Sequence, residues 1–68
     1  MKNLFNPPKT CSGSLVGTNG NAFALLAQFE KCAKAAKWSK EDIKKVHNEA
    51  KKGNYDHLVS TLSIHLDD

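Results

Sequence analysis

Apolar residues recur at three- and four-residue spacing from Ala22 onward, which is the pattern of an amphipathic helix. The first stretch contains Ala22, Phe23, Leu25, Leu26, Phe29, Cys32, Ala33 and Ala36. Polar and charged residues fill the positions between them, as on a helix with one solvent-exposed face. This spacing predicts a helix over residues 22–37.

The segment KWSKEDI predicts the start of a second helix. Ser39 stands where an N-cap is expected, and Asp42 follows three residues later, as in a capping box. Trp38 and Ile43 flank this start at the spacing of a hydrophobic staple. Gly53 is an expected stop for this helix. We therefore predict a helix over residues 40–52.

The last stretch, GNYDHLVSTLSIHL, carries a third apolar stripe behind the capping residue Asn54. It predicts a helix over residues 55–66, with Ile64 off the stripe and at an exposed edge. The predicted fold class is therefore all-α: a small three-helix bundle over residues 15–68, preceded by an irregular, flexible leader over residues 1–14. The expected core consists of Phe23, Leu26, Phe29, Trp38, Ile43, Val46, Leu58, Val59 and Leu62.

Leu15 and Val16 form a short apolar island in the irregular part of the chain. Two interpretations remain: an arm that plugs the helical core, or a segment that pairs with a second copy. The predicted state is accordingly a monomer or a homodimer. At 68 residues the chain allows one small domain. It has no apolar run of the roughly 20 residues that a membrane span needs and no secretory signal, so we expect a cytoplasmic protein without a membrane partner.

The cysteines and histidines do not predict a metal site. Cys11 and Cys32 lack CxxC spacing; they fit a reducing compartment, although one disulfide between them is an alternative. His47, His57 and His65 include no pair at i,i+4 spacing and no HExxH motif. We predict no metal and no cofactor.

The stretch GTNGNAFALL resembles a phosphate-binding loop only in its glycines. A P-loop ends in Gly-Lys-Ser/Thr, whereas Asn21, Ala22 and Phe23 stand at the corresponding place. Asn19 or Asn21 is better interpreted as the cap of the first helix. Because no nucleophile elbow or paired-carboxylate spacing is present either, we predict that the protein is not an enzyme.

All ten positive side chains are lysines, and eight of them lie between Lys31 and Lys52, in a chain of net charge +3. Such a cluster is either an ordinary solvated helix surface or a weak electrostatic site for nucleic acid or an acidic protein. The absence of arginine argues against sequence-specific DNA recognition, because arginine reads guanine and phosphate with two hydrogen bonds at once.

Three segments in order, NGNAFALL, KWSKEDI and GNYDHLVSTL, resemble a family of short proteins of tailed bacteriophages. The resemblance covers about residues 15–66. The chain departs from it at Asn19 and Asn54, where aspartate is common; either residue keeps a capping oxygen. The resemblance implies a phage origin but no established activity.

The leading functional prediction is therefore a small interaction protein that binds a host protein and inhibits a host process or defence system. Its expected partner-binding residues are Lys31, Lys34, Lys37, Lys44, Lys45, Tyr55 and Ile64. The alternative is a nucleic-acid-associated protein that contacts phosphates non-specifically through the lysines, and a third possibility is a homodimeric structural accessory.

Overall fold

The computed structural model describes residues 2–67 and contains three helices and two very short strands. In chain order these are β1 (Cys11–Ser12), α1 (Ala22–Ala35), α2 (Lys40–Ala50), α3 (Tyr55–Ile64) and β2 (Leu66–Asp67). Each helix begins at the predicted residue and ends two residues before the predicted one. Met1 and Asp68, the outer limits of the predicted leader and domain, lie outside the described residues.

Each helix begins at a side-chain cap that the sequence predicts. Asn21 accepts a hydrogen bond from the Phe23 amide at 2.8 Å, and Ser39 accepts one from the Asp42 amide at 3.2 Å. Asn54 does the same for the His57 amide at 2.9 Å. Of the two candidate caps for α1, Asn21 is therefore the N-cap.

The end of α1 explains how Trp38 enters the core. Lys37 adopts a left-handed conformation with φ of 64°. Its amide donates to the Lys34 carbonyl, and the Trp38 amide donates to the Ala33 carbonyl, which together form a Schellman motif. This turn directs Trp38 back onto α1, where its ring meets Phe29 edge to face with centroids 5.5 Å apart.

The core lies between the three helices and confirms most of the predicted set. Seven predicted core residues are buried: Leu26, Phe29, Trp38, Ile43, Val46, Leu58 and Leu62. Val59 is partly buried against them. The prediction for Phe23 is wrong, because 80% of its surface is exposed.

The prediction of an all-α fold is also wrong in one respect, since β1 and β2 pair as a two-stranded parallel sheet. Cys11 lies opposite Leu66 and Ser12 opposite Asp67. The Cys11 amide donates to the His65 carbonyl at 3.1 Å. The three helices together form the crossover that a parallel pair requires. Two-residue strands are too short to show the alternation by which a sequence reveals a strand.

The segment assigned to a flexible leader lies against the helices over much of its length. The Leu4 amide donates to Nε2 of His65 at 3.0 Å. The Phe5 ring contacts Trp38 edge to face at 5.4 Å between centroids and His65 at 5.7 Å. Leu15, in the apolar island, packs partly against the core, whereas Val16 beside it is 88% exposed.

Candidate partner-binding surface

An apolar groove opens where the start of α1 meets the end of α2 and the start of α3. We call it the aromatic groove; its volume is about 380 Å³. It is lined by Ala22, Phe23, Leu26, Ala50, Lys51, Gly53, Asn54, Tyr55 and Leu58. The lining residues from α2 and the following turn include Ala50 and Gly53, which are too small to cover the Phe23 ring. Phe23 therefore stays exposed although it shares a helical stripe with buried Leu26.

Tyr55 forms a fixed rim of the aromatic groove. Its hydroxyl donates to the Gly20 carbonyl at 2.5 Å, which ties the start of α3 to the turn before α1. About half of the side chain, 48%, remains exposed. Because a buried or anchored aromatic ring loses little entropy on binding, a rim of this kind favours contact with an apolar side chain.

A second groove follows the contact between α1 and α2 and has a volume of about 360 Å³. We call it the lysine groove; it is lined by Glu30, Lys34, Lys40, Ile43, Lys44, His47, Asn48 and Lys51. Four lysines and one glutamate give its side chains a net charge of +3 with His47 neutral, which equals the net charge of the whole chain. The groove therefore concentrates the positive charge of the protein.

Glu30 and His47 shape the electrostatics of the lysine groove. Glu30 pairs with Lys34 at 2.9 Å, and the hydrogen bond from this lysine lowers the pKa of the Glu30 carboxyl. Burial lowers the pKa of His47 and favours its neutral ring. Within residues 2–67, Nε2 of His47 is buried without a hydrogen-bond partner.

The structure brings together only some of the residues predicted to bind a partner. Lys34 and Lys44 share the lysine groove, whereas Lys31, Lys37 and Lys45 line neither groove. Lys37 occupies the turn after α1, and the ammonium of Lys45 lies over the Phe5 ring at 5.1 Å from its centroid.

Tyr55 and Ile64, which were both predicted to bind the partner, are the first and last residues of α3. Tyr55 lines the aromatic groove. Ile64 is partly buried at the opposite end of the helix, where its carbonyl accepts a hydrogen bond from the Asn3 side chain. The two side chains therefore do not form one surface.

Sequence reasoning missed Phe23, Lys40 and Lys51 as surface residues of these grooves. The sequence did contain a signal for the lysines, because Lys40 and Lys44 on α2 and Lys51 at its C-cap follow one another at spacings of four and seven residues. Such positions share one helical face. No local signal distinguishes Phe23 from a core residue.

Lys51 lines both grooves, at the C-cap of α2. The aromatic groove and the lysine groove are therefore neighbours and form one composite surface, with apolar character at one end and positive charge at the other.

The histidines are engaged in contacts within the fold. Nε2 of His57 lies 3.1 Å from a carboxylate oxygen of Glu49. His65 is fully buried: its Nε2 accepts from the Leu4 amide, which places the proton on Nδ1, and Nδ1 donates to the Thr61 carbonyl at 2.7 Å. Burial lowers the pKa of His65. Among residues 2–67, no three His, Cys, Asp or Glu side chains are grouped as a metal ion would require.

Both cysteines are free thiols in buried positions. Burial, together with the neighbouring Cys32, raises the pKa of Cys11 to about 11. Because the thiolate is the reactive form, Cys11 is a poor nucleophile near neutral pH and acts as a small apolar residue of the core.

No family model matches the chain, and no curated protein or solved structure matches it either. None of the helices within residues 2–67 has the length and apolar character that crossing a bilayer requires.

Proposed function

We propose that this protein acts by binding another protein through the aromatic groove. The observation that carries the proposal is the exposure of Phe23, which is 80% accessible at the edge of an apolar groove. Aromatic side chains are enriched at the centres of protein interfaces, where their large apolar surface is removed from water. Val16, by contrast, is 88% exposed but lies outside the aromatic groove.

The surface is large enough for such a role. A standard interface buries about 800 Å² on each partner. The chain exposes 4480 Å², so a standard interface would occupy roughly a fifth of the surface. An area of that size can include both grooves. Binding would then act by occlusion: the protein would cover a functional surface of its partner without any chemical step.

The biological setting that we propose comes from the resemblance to tailed-bacteriophage proteins. Most of the residues that line the aromatic groove belong to the two outer segments of that resemblance, NGNAFALL and GNYDHLVSTL. The middle segment supplies Trp38, which is buried in the core. We propose that the partner is a host protein in the cytoplasm of an infected bacterium, and that binding inhibits a host process or defence system.

The test is capture of a host protein from bacterial lysate by the immobilised wild type and by matched variants. Phe23→Asp places a charge in the aromatic groove and is expected to abolish capture. Val16→Asp makes the same change at an 88% exposed position outside the groove and is expected to leave capture intact. Equal capture by both variants would refute a role for the groove.

The lysine groove supports a second candidate function, non-specific binding of nucleic acid phosphates. Four lysines along one groove offer point charges to a phosphate backbone. This function predicts retention on DNA that falls steeply with salt and depends on Lys44 and Lys51, whereas the neutral substitution Phe23→Ala leaves it unchanged. Retention that is insensitive to salt or to these lysines would exclude it.

A further inference from the structure

We propose that the occupant of the composite surface is an acidic, amphipathic segment of the partner protein. An apolar side chain of that segment enters the aromatic groove, and its carboxylates lie over the lysine groove. This inference rests on the proposed function and adds the chemistry of the partner to it.

The position of Lys51 is the first argument. It lines both grooves, so a ligand that fills the aromatic groove and continues toward α2 must pass this ammonium group. The next lysines along the same path, Lys44 and Lys40, follow on the same face of α2. A segment with an apolar residue followed by carboxylates complements this order of groups.

The ion pairs within the protein are the second argument. Among residues 2–67, Lys34 pairs with Glu30, whereas no carboxylate lies within salt-bridge distance of Lys40, Lys44 or Lys51. The three ammonium groups are therefore available to external anions. Complementary potentials of this kind favour a partner of opposite charge and disfavour basic ones.

The lining of the aromatic groove favours a protein segment over a nucleic acid strand. Apart from Lys51 and Asn54, its lining residues are apolar or aromatic, and their burial favours an apolar side chain of a peptide over a charged phosphate backbone. Asp56, the neighbour of Tyr55 in the chain, is exposed and negatively charged. A phosphate backbone carries a negative charge at every nucleotide and is repelled near this rim, whereas a peptide can place a neutral apolar residue there.

The experiment is selection from a randomised peptide display library on the immobilised wild-type protein. We expect enriched peptides to combine aromatic or aliphatic residues with Asp and Glu. A synthetic enriched peptide is then titrated against protein variants by fluorescence anisotropy. Because several charge pairs are reversed at once, Lys44→Glu/Lys51→Glu should weaken binding about tenfold or more. The matched reversal Lys2→Glu/Lys31→Glu alters exposed lysines outside both grooves and should change the affinity by less than about twofold.

Changes in the peptide test the same contact on the wild-type protein, so the result does not depend on the folding of a variant. Replacing its Asp and Glu by Asn and Gln should weaken binding about tenfold. A peptide with Lys at those positions should bind the Lys44→Glu/Lys51→Glu protein better than the wild type. Circular dichroism of each variant establishes that it is folded.

The outcomes separate this inference from the proposed function. Enriched peptides that are neutral or basic, and whose binding is lost in Phe23→Asp, overturn the acidic segment and leave the protein-binding function standing. If no enriched peptide depends on Phe23 for its binding, both the inference and the proposed function are overturned. Competition by single-stranded oligothymidylate that depends on Phe23 identifies a nucleic acid as the occupant. Self-association of the wild type that Phe23→Asp abolishes identifies a second copy of the chain. Either result also overturns the inference.

Discussion

Two phenylalanines on α1 provide a direct test of the surface on which the proposals rest. Phe23 and Phe29 are six residues apart on one helix, and both were predicted to lie in the core. In the structure Phe29 is fully buried and Phe23 is 80% exposed. Replacing each by alanine therefore compares the same chemical change at a surface site and at a core site.

The expected costs follow from these exposures. Full burial of a phenylalanine contributes about 1.5–3 kcal/mol, and Phe23 buries only about a fifth of its surface, so its truncation costs about 0.3–0.6 kcal/mol. The better helix propensity of alanine offsets up to about 0.5 kcal/mol of this loss. Phe29→Ala leaves a cavity between the helices and should cost about 3–5 kcal/mol.

The assay is urea denaturation followed by far-UV circular dichroism at neutral pH. A domain of this size has a total unfolding free energy of about 3–10 kcal/mol, so Phe29→Ala should remove a third or more of the stability while Phe23→Ala stays near the wild type. A loss of more than about 1.5 kcal/mol for Phe23→Ala would mean that this ring is a core residue, as core truncations cost that much or more. The aromatic groove would then not exist as described.

Three further predictions test the contacts that hold the fold. His65→Leu keeps most of the side-chain volume but removes both ring hydrogen bonds, and should cost about 2–4 kcal/mol at neutral pH. Because burial lowers the pKa of His65, its neutral ring stabilises the fold above the ordinary histidine pKa of about 6.5, and this contribution is lost as the pH falls below it. The difference between wild type and His65→Leu in urea denaturation should therefore shrink from pH 7 toward acid, and a constant difference would refute the assignment. Lys37→Gly relieves the left-handed conformation of that residue and should raise the unfolding free energy by about 0.5–1 kcal/mol; a destabilised variant would contradict the turn. Gly53→Ala brings a Cβ to 2.8 Å from Cβ of His57 and should cost about 1–3 kcal/mol, whereas Gly20→Ala meets only an ordinary 3.6 Å contact; equal thermal shifts for the two variants would refute this packing.

The sequence predicted the position of Gly53 after the second helix correctly, but the structural reason for a glycine there is different. The sequence indicates a glycine stop after the second helix, and α2 does end before Gly53. Its φ is nevertheless not in the left-handed region. The glycine is needed because the His57 side chain occupies the space where a Cβ would lie, and that neighbour belongs to the next helix.

The lysine groove could be predicted only in part. Lys34 and Lys44 were identified as binding residues, but the sequence grouped them with Lys31, Lys37 and Lys45. Which lysines face one another depends on the rotation of α1 about its axis relative to α2. That rotation is decided by packing of buried residues such as Phe29 and Val46, and no local pattern records it.

The sequence by itself determined where the helices begin, because a cap is a contact between residues two or three positions apart. Asn21, Ser39 and Asn54 act as caps within their own segments. Only the tertiary structure decided the exposure of Phe23, the burial of His65 and the pairing of Cys11 with Leu66. Each of these depends on chain segments distant in sequence, and a side chain is buried or exposed according to what those segments place beside it.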